Sequence, residues 1–595
     1  MMRTPLRPLP QILRARVEGG NPDLIEAENI RLRHEEMRER VRATAAQRIW
    51  FLTAAFCLLF TVIGLRMGVL AATQPIEPGI AEARAEIQAQ RADIVDRQGR
   101  VMATNLVTHA LYAHPRAMID PIGSARALAA IFPDLDGDAL ARQFTSGRSF
   151  VWVRRTLSPE QRQRVHEIGE PGLLFGAREM RLYPNGRIAA HVLGGASFGQ
   201  EGVDSAEVIG TAGIERAVDQ RLRDPALLGQ PLALSLDLSV QAALTETLEA
   251  GMQLMNAKGA AALVMDVRTG ELLAMVSLPD FDPNDRPNPR VTGDPGDSPL
   301  FNRALQGVYE LGSVMKVFPV AQALELGLVE PRTVMDVKGP IRAGSATVRD
   351  HPTTPRVLTV AGIIAKSSNV GTVKLATAIG HGPQEDFLRR LGFFAPVPLE
   401  LSEAPGARPL VPPRWSDTTA ATVAYGHGIS ANLVHLASAY ASLVNGGMRV
   451  TPTLLRRDDP ALGERLIAPE TSARMRGILR STVTQGTARQ AEVAGYYLGG
   501  KTGTAEKPSR GGGYVDDKVV ATFAGAFPMT DPRYVIVVSL DEAEDRTGTE
   551  ARRTAGWTTV PVVQVILRRI GPLLGVRPEP EPSETVLADY PALGD

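Results

Sequence analysis

The sequence predicts an α+β protein. One N-terminal membrane-spanning helix leads into a mixed α/β pedestal, then into a domain whose five-stranded antiparallel sheet lies between helices. Three observations predict it. Residues 49–65 form a run without charge, and residues 67–70 extend it past Arg66. Five strand-like apolar runs split two and three around a long helical middle. Between span and sheet lies a stretch that mixes short strands and helices without a catalytic constellation.

Taken in order, residues 1–48 are a cytoplasmic arm with 10 arginines against 7 acidic residues, read as mostly disordered with a helical pattern from Asn29 to Arg48. Residues 49–70 are the span: 22 helical residues reach about 33 Å, enough for a ~30 Å hydrocarbon layer. Arg38, Arg40, Arg42 and Arg48 precede it, whereas Arg84 stands alone among residues 71–90. The basic side stays inside, so the remainder is exported. Residues 71–230 form the pedestal, which would lift a later domain off the membrane. Residues 231–575 form the catalytic domain, with strands expected over 260–267, 271–278, 496–503, 521–527 and 534–540. Residues 576–595, rich in Pro and Glu, are expected to be a disordered tail.

Composition excludes several classes. Formal net charge is zero, which gives no support to nucleic-acid binding. Cys57 is the one cysteine, so no intrachain disulfide or thiolate metal cluster can form. No cofactor or metal motif is expected; His109, His114, His166 and His191 lack ligand spacing.

The chemistry concentrates in three motifs. Ser313 and Lys316 are three residues apart on an expected helix, with Cβ atoms ~5–6 Å apart. That spacing lets an amine take the proton from a hydroxyl and make it a nucleophile. Ser367-Ser368-Asn369 follows, then Lys501-Thr502-Gly503-Thr504. Ser-x-x-Lys, Ser-x-Asn and Lys-Thr-Gly in this order are the signature of penicillin-recognising enzymes. Lysine usage agrees. The chain has 57 arginines and 8 lysines, all 8 between Lys258 and Lys518, yet it keeps Lys at 316 and 501. Arginine cannot act as a base, whereas burial can neutralise lysine.

Ser313 is therefore the expected nucleophile and Lys316 its base. A free lysine has a pKa of ~10.4, so work near neutrality requires a fall of about 3, or ~4 kcal/mol. Burial and a second cation, Lys501, would supply it. Pro319 should kink the Ser313 helix. Ser367 would pass a proton to the departing amine, and the Asn369 amide would bond the substrate backbone. Lys501, Thr502 and Thr504 suit a terminal carboxylate, with Gly503 permitting close backbone approach. The backbone N–H groups of Ser313 and Thr504 would form the oxyanion hole.

These residues resemble the class B penicillin-binding proteins, the D,D-transpeptidases that crosslink peptidoglycan. The resemblance extends to Gly259-Ala260-Ala261-Ala262-Leu263-Val264-Met265-Asp266 with Thr269-Gly270-Glu271. It also takes in Asn302-Arg303-Ala304, Tyr425-Gly426-His427-Gly428-Ile429-Ser430, and Ala555-Gly556 with Pro561. Residues 91–99 and 183–186 look like the family's pedestal, and coverage is roughly 49–570. Leu311 departs from the pattern, since many members have proline there. The resemblance implies a serine β-lactamase-like fold, a stem pentapeptide ending in D-Ala-D-Ala as acyl donor, and inhibition by β-lactam antibiotics. Ser367-Ser368-Asn369-Val370-Gly371 and Lys501-Thr502-Gly503-Thr504-Ala505 look like the septal, penicillin-binding protein 3 type. That type implies the inner membrane at the division septum, beside a membrane glycan polymerase and other division proteins. The rival readings are an elongation-type transpeptidase, a β-lactamase or β-lactam sensor, and an inactive scaffold of the division machinery.

Overall fold

The computed structural model describes residues 9–72, 91–201, 206–227, 229–344, 346–509, 513–580, 588 and 590–593. The chain forms two units, Met1–Ala83 and Arg84–Asp595. The first unit is helical: α1 (Leu9–Val17) and α2 (Pro22–Ala72). This corrects the expectation of a mostly disordered arm. Arg, Glu, Leu and Ala are strong helix formers, and Arg31 lies within 3.6 Å of both Glu28 and Glu35, one turn away on either side. Ala45–Met67 is the stretch of α2 long and apolar enough to cross a membrane, 23 residues with mean hydropathy 2.0 and none of it buried. Residues 73–90, where the pedestal is expected to begin, lie outside the described residues.

In the pedestal, β1 (Ile94–Val95) pairs antiparallel with β2 (Val101–Ala113). Beyond β2 come α3 (Pro121–Ile131) and α4 (Gly137–Thr145). Next are β3 (Val151–Leu157), α5 (Pro159–His166) and β4 (Leu173–Leu182), and both strands pair with β2. A separate hairpin follows, β5 (Gly195–Glu201) with β6 (Ala206–Ala212). β7 (Leu232–Ala233) pairs parallel with β1 and so ties the pedestal sheet to the start of the catalytic domain. A buried charge cluster holds this joint. Arg91 contacts Glu215 at 2.6 Å and Asp219 at 2.6 Å, and Arg181 donates to Glu215 at 2.7 Å.

The catalytic domain opens with α6 (Leu238–Leu254), whose N-terminal amides of Ser239 and Val240 donate to the Asp237 carboxylate. Its sheet holds β8 (Gly259–Asp266) and β9 (Leu272–Leu278), then β10 (Gly499–Pro508), β11 (Tyr514–Phe527) and β12 (Tyr534–Asp541). The order is β10-β11-β12-β8-β9, antiparallel throughout. The five expected strands are present, and β10 and β11 run on beyond the expected ends as one long hairpin.

Strand periodicity explains the layering. Along β8, Ala261, Leu263 and Met265 enter one buried cluster while Ala260, Ala262 and Val264 enter another. Along β12, Val535 and Val537 divide from Ile536, Val538 and Leu540 in the same way. Side chains alternate faces along a strand, so a sheet apolar on both faces must be covered on both. On one face pack α7 (Val317–Glu325), α8 (Val360–Ala365), α9 (Asn369–Ile379), α10 (Leu433–Val444) and α11 (Pro469–Thr484). On the other pack α6 and α12 (Thr559–Leu573).

Two local expectations need correction. Ser313 and Lys316 lie on a 3-10 turn, Gly312–Lys316, and not on an α-helix. The α-helix begins at Val317, so Pro319 falls in its first turn, where an amide has no intrahelical acceptor and its loss costs nothing. No kink is required. Residues i and i+3 eclipse on a 3-10 turn, so the two side chains still share a face. The tail also differs from a disordered segment. Its described residues lie on the catalytic domain: Ala592 is buried, its N–H donates to Gln485 Oε1 at 3.1 Å, and its carbonyl accepts from Thr359 N–H at 3.2 Å. A Cβ on Gly362 would lie 1.7 Å from that carbonyl. A Pro/Glu composition measures what a segment can bury within itself, not the surface it can borrow. Residues 581–587 lie outside the described residues.

Candidate active site

The site forms where the 3-10 turn, the end of α8, the start of α9 and strand β10 converge. Glycines bring the backbones together. Gly312 adopts φ +58°, and a Cβ there would stand 2.7 Å from the Thr504 carbonyl oxygen. A Cβ on Gly503 would stand 2.5 Å from the Leu311 oxygen and 3.1 Å from Val314 N. Any larger residue would wedge the turn off the strand, so Ser313 and Thr504 lie side by side only with glycine at both places. A cleft of about 690 Å³ opens over them, and Ser313, Lys316, Ser367, Asn369, Thr502 and Thr504 all line it.

Lys501 lies fully buried beside these six, at 0% exposure, and Lys316 is 1% exposed. Their amines converge on one hydroxyl: Ser367 Oγ accepts from Lys316 Nζ at 3.1 Å and from Lys501 Nζ at 3.0 Å. Lys316 also donates to the Ser367 carbonyl at 2.5 Å, and Lys501 to the Thr502 carbonyl at 2.9 Å. Burial lowers the Lys316 amine to about 7, against an opposing pull from the Asp350 charge. Burial, then repulsion from Lys316, holds the Lys501 amine well below the usual lysine range. Two ammonium groups on one buried hydroxyl repel, so the pair readily gives up a proton. Among the described contacts, Lys316 reaches Ser367 and not Ser313 Oγ.

Ser367 sits at φ +61°, in the left-handed region that serines seldom adopt. The turn is held from outside. Asp350 accepts from the Ser368 hydroxyl at 2.5 Å, from Asn369 N–H at 2.5 Å and from Val370 N–H at 3.0 Å. The Asn369 side-chain amide donates to the Arg349 carbonyl at 2.9 Å, which leaves its Oδ1 available as an acceptor. Thr502 Oγ1 shares a 2.6 Å bond with Thr487 Oγ1, and Thr504 Oγ1 accepts from Ala555 N–H at 3.0 Å. The motifs do not reveal Asp350 or Thr487, which reach the site only through tertiary contacts. The wider cleft adds His351, Lys366, Arg489 and Trp557, and no carboxylate lines it among the described residues. Nor do the described residues contain a cluster of three His, Cys, Asp or Glu able to hold a metal.

Comparison with known proteins matches both the pedestal and the domain that holds this cleft. The penicillin-binding protein transpeptidase domain matches residues 260–558, and the penicillin-binding protein dimerisation domain matches residues 86–225. The chain is 34% identical to a probable peptidoglycan D,D-transpeptidase FtsI of Caulobacter vibrioides, over 93% of each chain. It is 28% identical to the peptidoglycan D,D-transpeptidase FtsI of Escherichia coli, over 83% of this chain and 85% of that one. The solved penicillin-binding protein 3 of Mycobacterium tuberculosis in complex with ampicillin superposes with a TM-score of 0.63 at 27% identity, covering 84% of this chain and 99% of that one. Two buried lysines beside one cleft, with matches spanning pedestal and sheet, lead to one assignment: the chain belongs to the class B penicillin-binding proteins of the penicillin-binding protein 3 type, serine acyltransferases of the transpeptidase family.

Proposed function

We propose that this protein crosslinks peptidoglycan stem peptides during septal wall synthesis, through an acyl-enzyme on Ser313. The observation that carries this reading is the convergence of the Lys316 and Lys501 amines on Ser367 Oγ, in the wall of the cleft that Ser313 lines. Ser313 Oγ attacks the carbonyl carbon of the penultimate D-Ala while its proton passes to neutral Lys316. The backbone N–H groups of Ser313 and Thr504 hold the oxyanion, an arrangement worth about 3–4 kcal/mol per donor. The C–N bond then breaks, and the terminal D-Ala leaves with a proton relayed through Ser367. Thr502 and Thr504, backed by Lys501, hold its carboxylate, and Asn369 Oδ1 accepts a donor backbone N–H. An acceptor amine attacks the ester, the C–O bond breaks, and Ser313 regains its proton. A β-lactam enters the first half of this sequence and stays, because no carboxylate lines the cleft to activate water among the described residues.

The same reading places the chain in the bacterial inner membrane as a single-pass protein, N-terminus cytoplasmic and catalytic domain periplasmic, at the septum. The apolar helix Ala45–Met67 and the arginines before it support this. A separate membrane glycan polymerase and other division proteins would work beside it. The test is labelling with a fluorescent penicillin followed by intact mass and peptide mapping. Wild type should carry a lasting adduct on Ser313 and Ser313→Ala none. An adduct on another serine, or rapid hydrolytic release, would overturn the assignment.

A further inference from the structure

Asp350 belongs to none of the three motifs, yet its carboxylate makes three contacts with the second one. Oδ2 accepts from the Ser368 hydroxyl at 2.5 Å; Oδ1 accepts from the N–H groups of Asn369 and Val370 at 2.5 and 3.0 Å. Bonds to an ionised acceptor are about twice as strong as neutral ones. The residues it grips flank Ser367, which sits at φ +61° and carries the hydroxyl shared by both lysines. Strain of this kind persists only where neighbours over-determine it. Asp350 also opens the loop that supplies His351, Thr353, Thr354 and Pro355 to the cleft wall, so one carboxylate joins that wall to the Ser367 turn.

We propose that Asp350 is a positioning residue of the acylation step: it fixes the Ser367–Asn369 turn under the lysine pair and supplies the negative charge that pair otherwise lacks. Among the described residues no lysine or arginine forms an ion pair with Asp350, although its charge acts on Lys316. The other titratable and charged groups here are Lys501 on β10, which shares the Ser367 hydroxyl with Lys316, and three that line the same cleft, His351 on the loop, Lys366 at the end of α8 and Arg489 beyond α11. All are cationic or neutral, so Asp350 alone among them favours the protonated lysine. It therefore sets how far pH must rise before the pair yields a proton. Its removal lowers that threshold even as it loosens the turn.

This inference rests on the acyl-enzyme reading, and the experiment separates the two. Acylation by a fluorescent penicillin is followed from pH 5 to 10 in the full-length protein for wild type, Asp350→Asn and Ser368→Ala. Wild type should show an acid limb that rises as the lysine pair loses a proton. Asp350→Asn should lose about tenfold or more of the plateau rate, and its limb should move to lower pH by about half to one unit. Ser368→Ala breaks two bonds, the hydroxyl's own to Asp350 and the one it accepts from Gly371 N–H, but leaves the charge, so its plateau should fall with the limb unmoved. A limb unmoved in Asp350→Asn would reduce Asp350 to a structural cap, and a wild-type profile would remove it altogether. Should Asp350→Asn fail to fold, Asp350→Ser keeps a capping oxygen without the charge and reads the same two quantities. Absence of any adduct in wild type would strike at the acyl-enzyme reading instead.

Discussion

Among the described residues, two clusters of buried cations are treated in opposite ways. In the pedestal, Arg91 and Arg181 converge on the carboxylate of Glu215, with side chains 1%, 2% and 0% exposed. Asp219 adds a second carboxylate at 2.6 Å from Arg91 and is shared with Arg223, which also pairs with Glu207, so three cations face three carboxylates. Burial alone would push the Asp219 carboxyl up. The Gly210 N–H and the Arg91 guanidinium outweigh it and hold the group below its ordinary 3.8. In the catalytic domain, Lys316 and Lys501 converge on a neutral hydroxyl, without a carboxylate in contact. Burial there drives protons off. The choice of amino acid matches each role. Guanidinium keeps its proton under burial and suits a fixed joint, whereas an ammonium can surrender its proton and suits chemistry. A buried cation thus holds or sheds its proton according to whether its countercharge is buried with it.

Exchanging one kind of cation for the other should break the contrast most sharply. Lys316→Arg keeps the charge and most of the volume but removes the capacity to accept a proton. Its acylation by a penicillin should fall by about 10²–10⁴-fold, the usual worth of a general base. Circular dichroism should show an unchanged fold. A rate within tenfold of wild type, about 1.4 kcal/mol, would show that the proton leaves Ser313 by another route.

The pedestal cluster should give the mirror image. Glu215→Gln leaves Arg91 and Arg181 buried against a neutral amide, and losing one member of a buried ion pair costs about 3–5 kcal/mol. The thermal midpoint should drop by several degrees, while the folded fraction still acylates at close to the wild-type rate. Unchanged stability would mean that Asp219 alone neutralises both arginines.

The contrast also separates what the sequence discloses from what it withholds. Spacing along the chain reveals Ser313, Lys316 and the residues of the two later motifs, because each motif is a local pattern. The sheet is legible because uninterrupted apolar runs such as residues 260–265 admit burial on both faces. Asp350 is seventeen places before Ser367, and Thr487 fifteen before Thr502, separations that no turn or strand period enforces. Both reach the site through the packing of separate segments. Spacing cannot tell the 3-10 turn from an α-helix, because both keep i and i+3 on one face. The order of the tail is hidden because its burial partners, Thr359, Gly362 and Gln485, lie over a hundred residues away.

The smallest expected effect tests the contrast at the level of one hydroxyl. Thr487 is exposed at the cleft, and its Oγ1 lies 2.6 Å from Thr502 Oγ1. Thr502 in turn is 7% exposed and lies 3.4 Å from Lys501 Nζ. The threonine pair thus extends the lysine cluster outward, toward the donor's terminal carboxylate in the reading proposed above. Thr487→Val keeps shape and removes one hydrogen-bonding group, a loss of about 0.5–1.5 kcal/mol, or about two- to tenfold in acylation rate. Stability should barely change, since surface substitutions usually fall within about 0.5 kcal/mol. If Thr487 acts by orienting Thr502 on the carboxylate, a donor analogue ending in an amide should show a smaller difference between variant and wild type. Equal differences for carboxylate and amide donors would detach Thr487 from carboxylate binding. A fall in stability with acylation intact would place this hydroxyl pair with the fixed joints of the pedestal, and would move the boundary between structural and reactive polar groups inside the cleft itself.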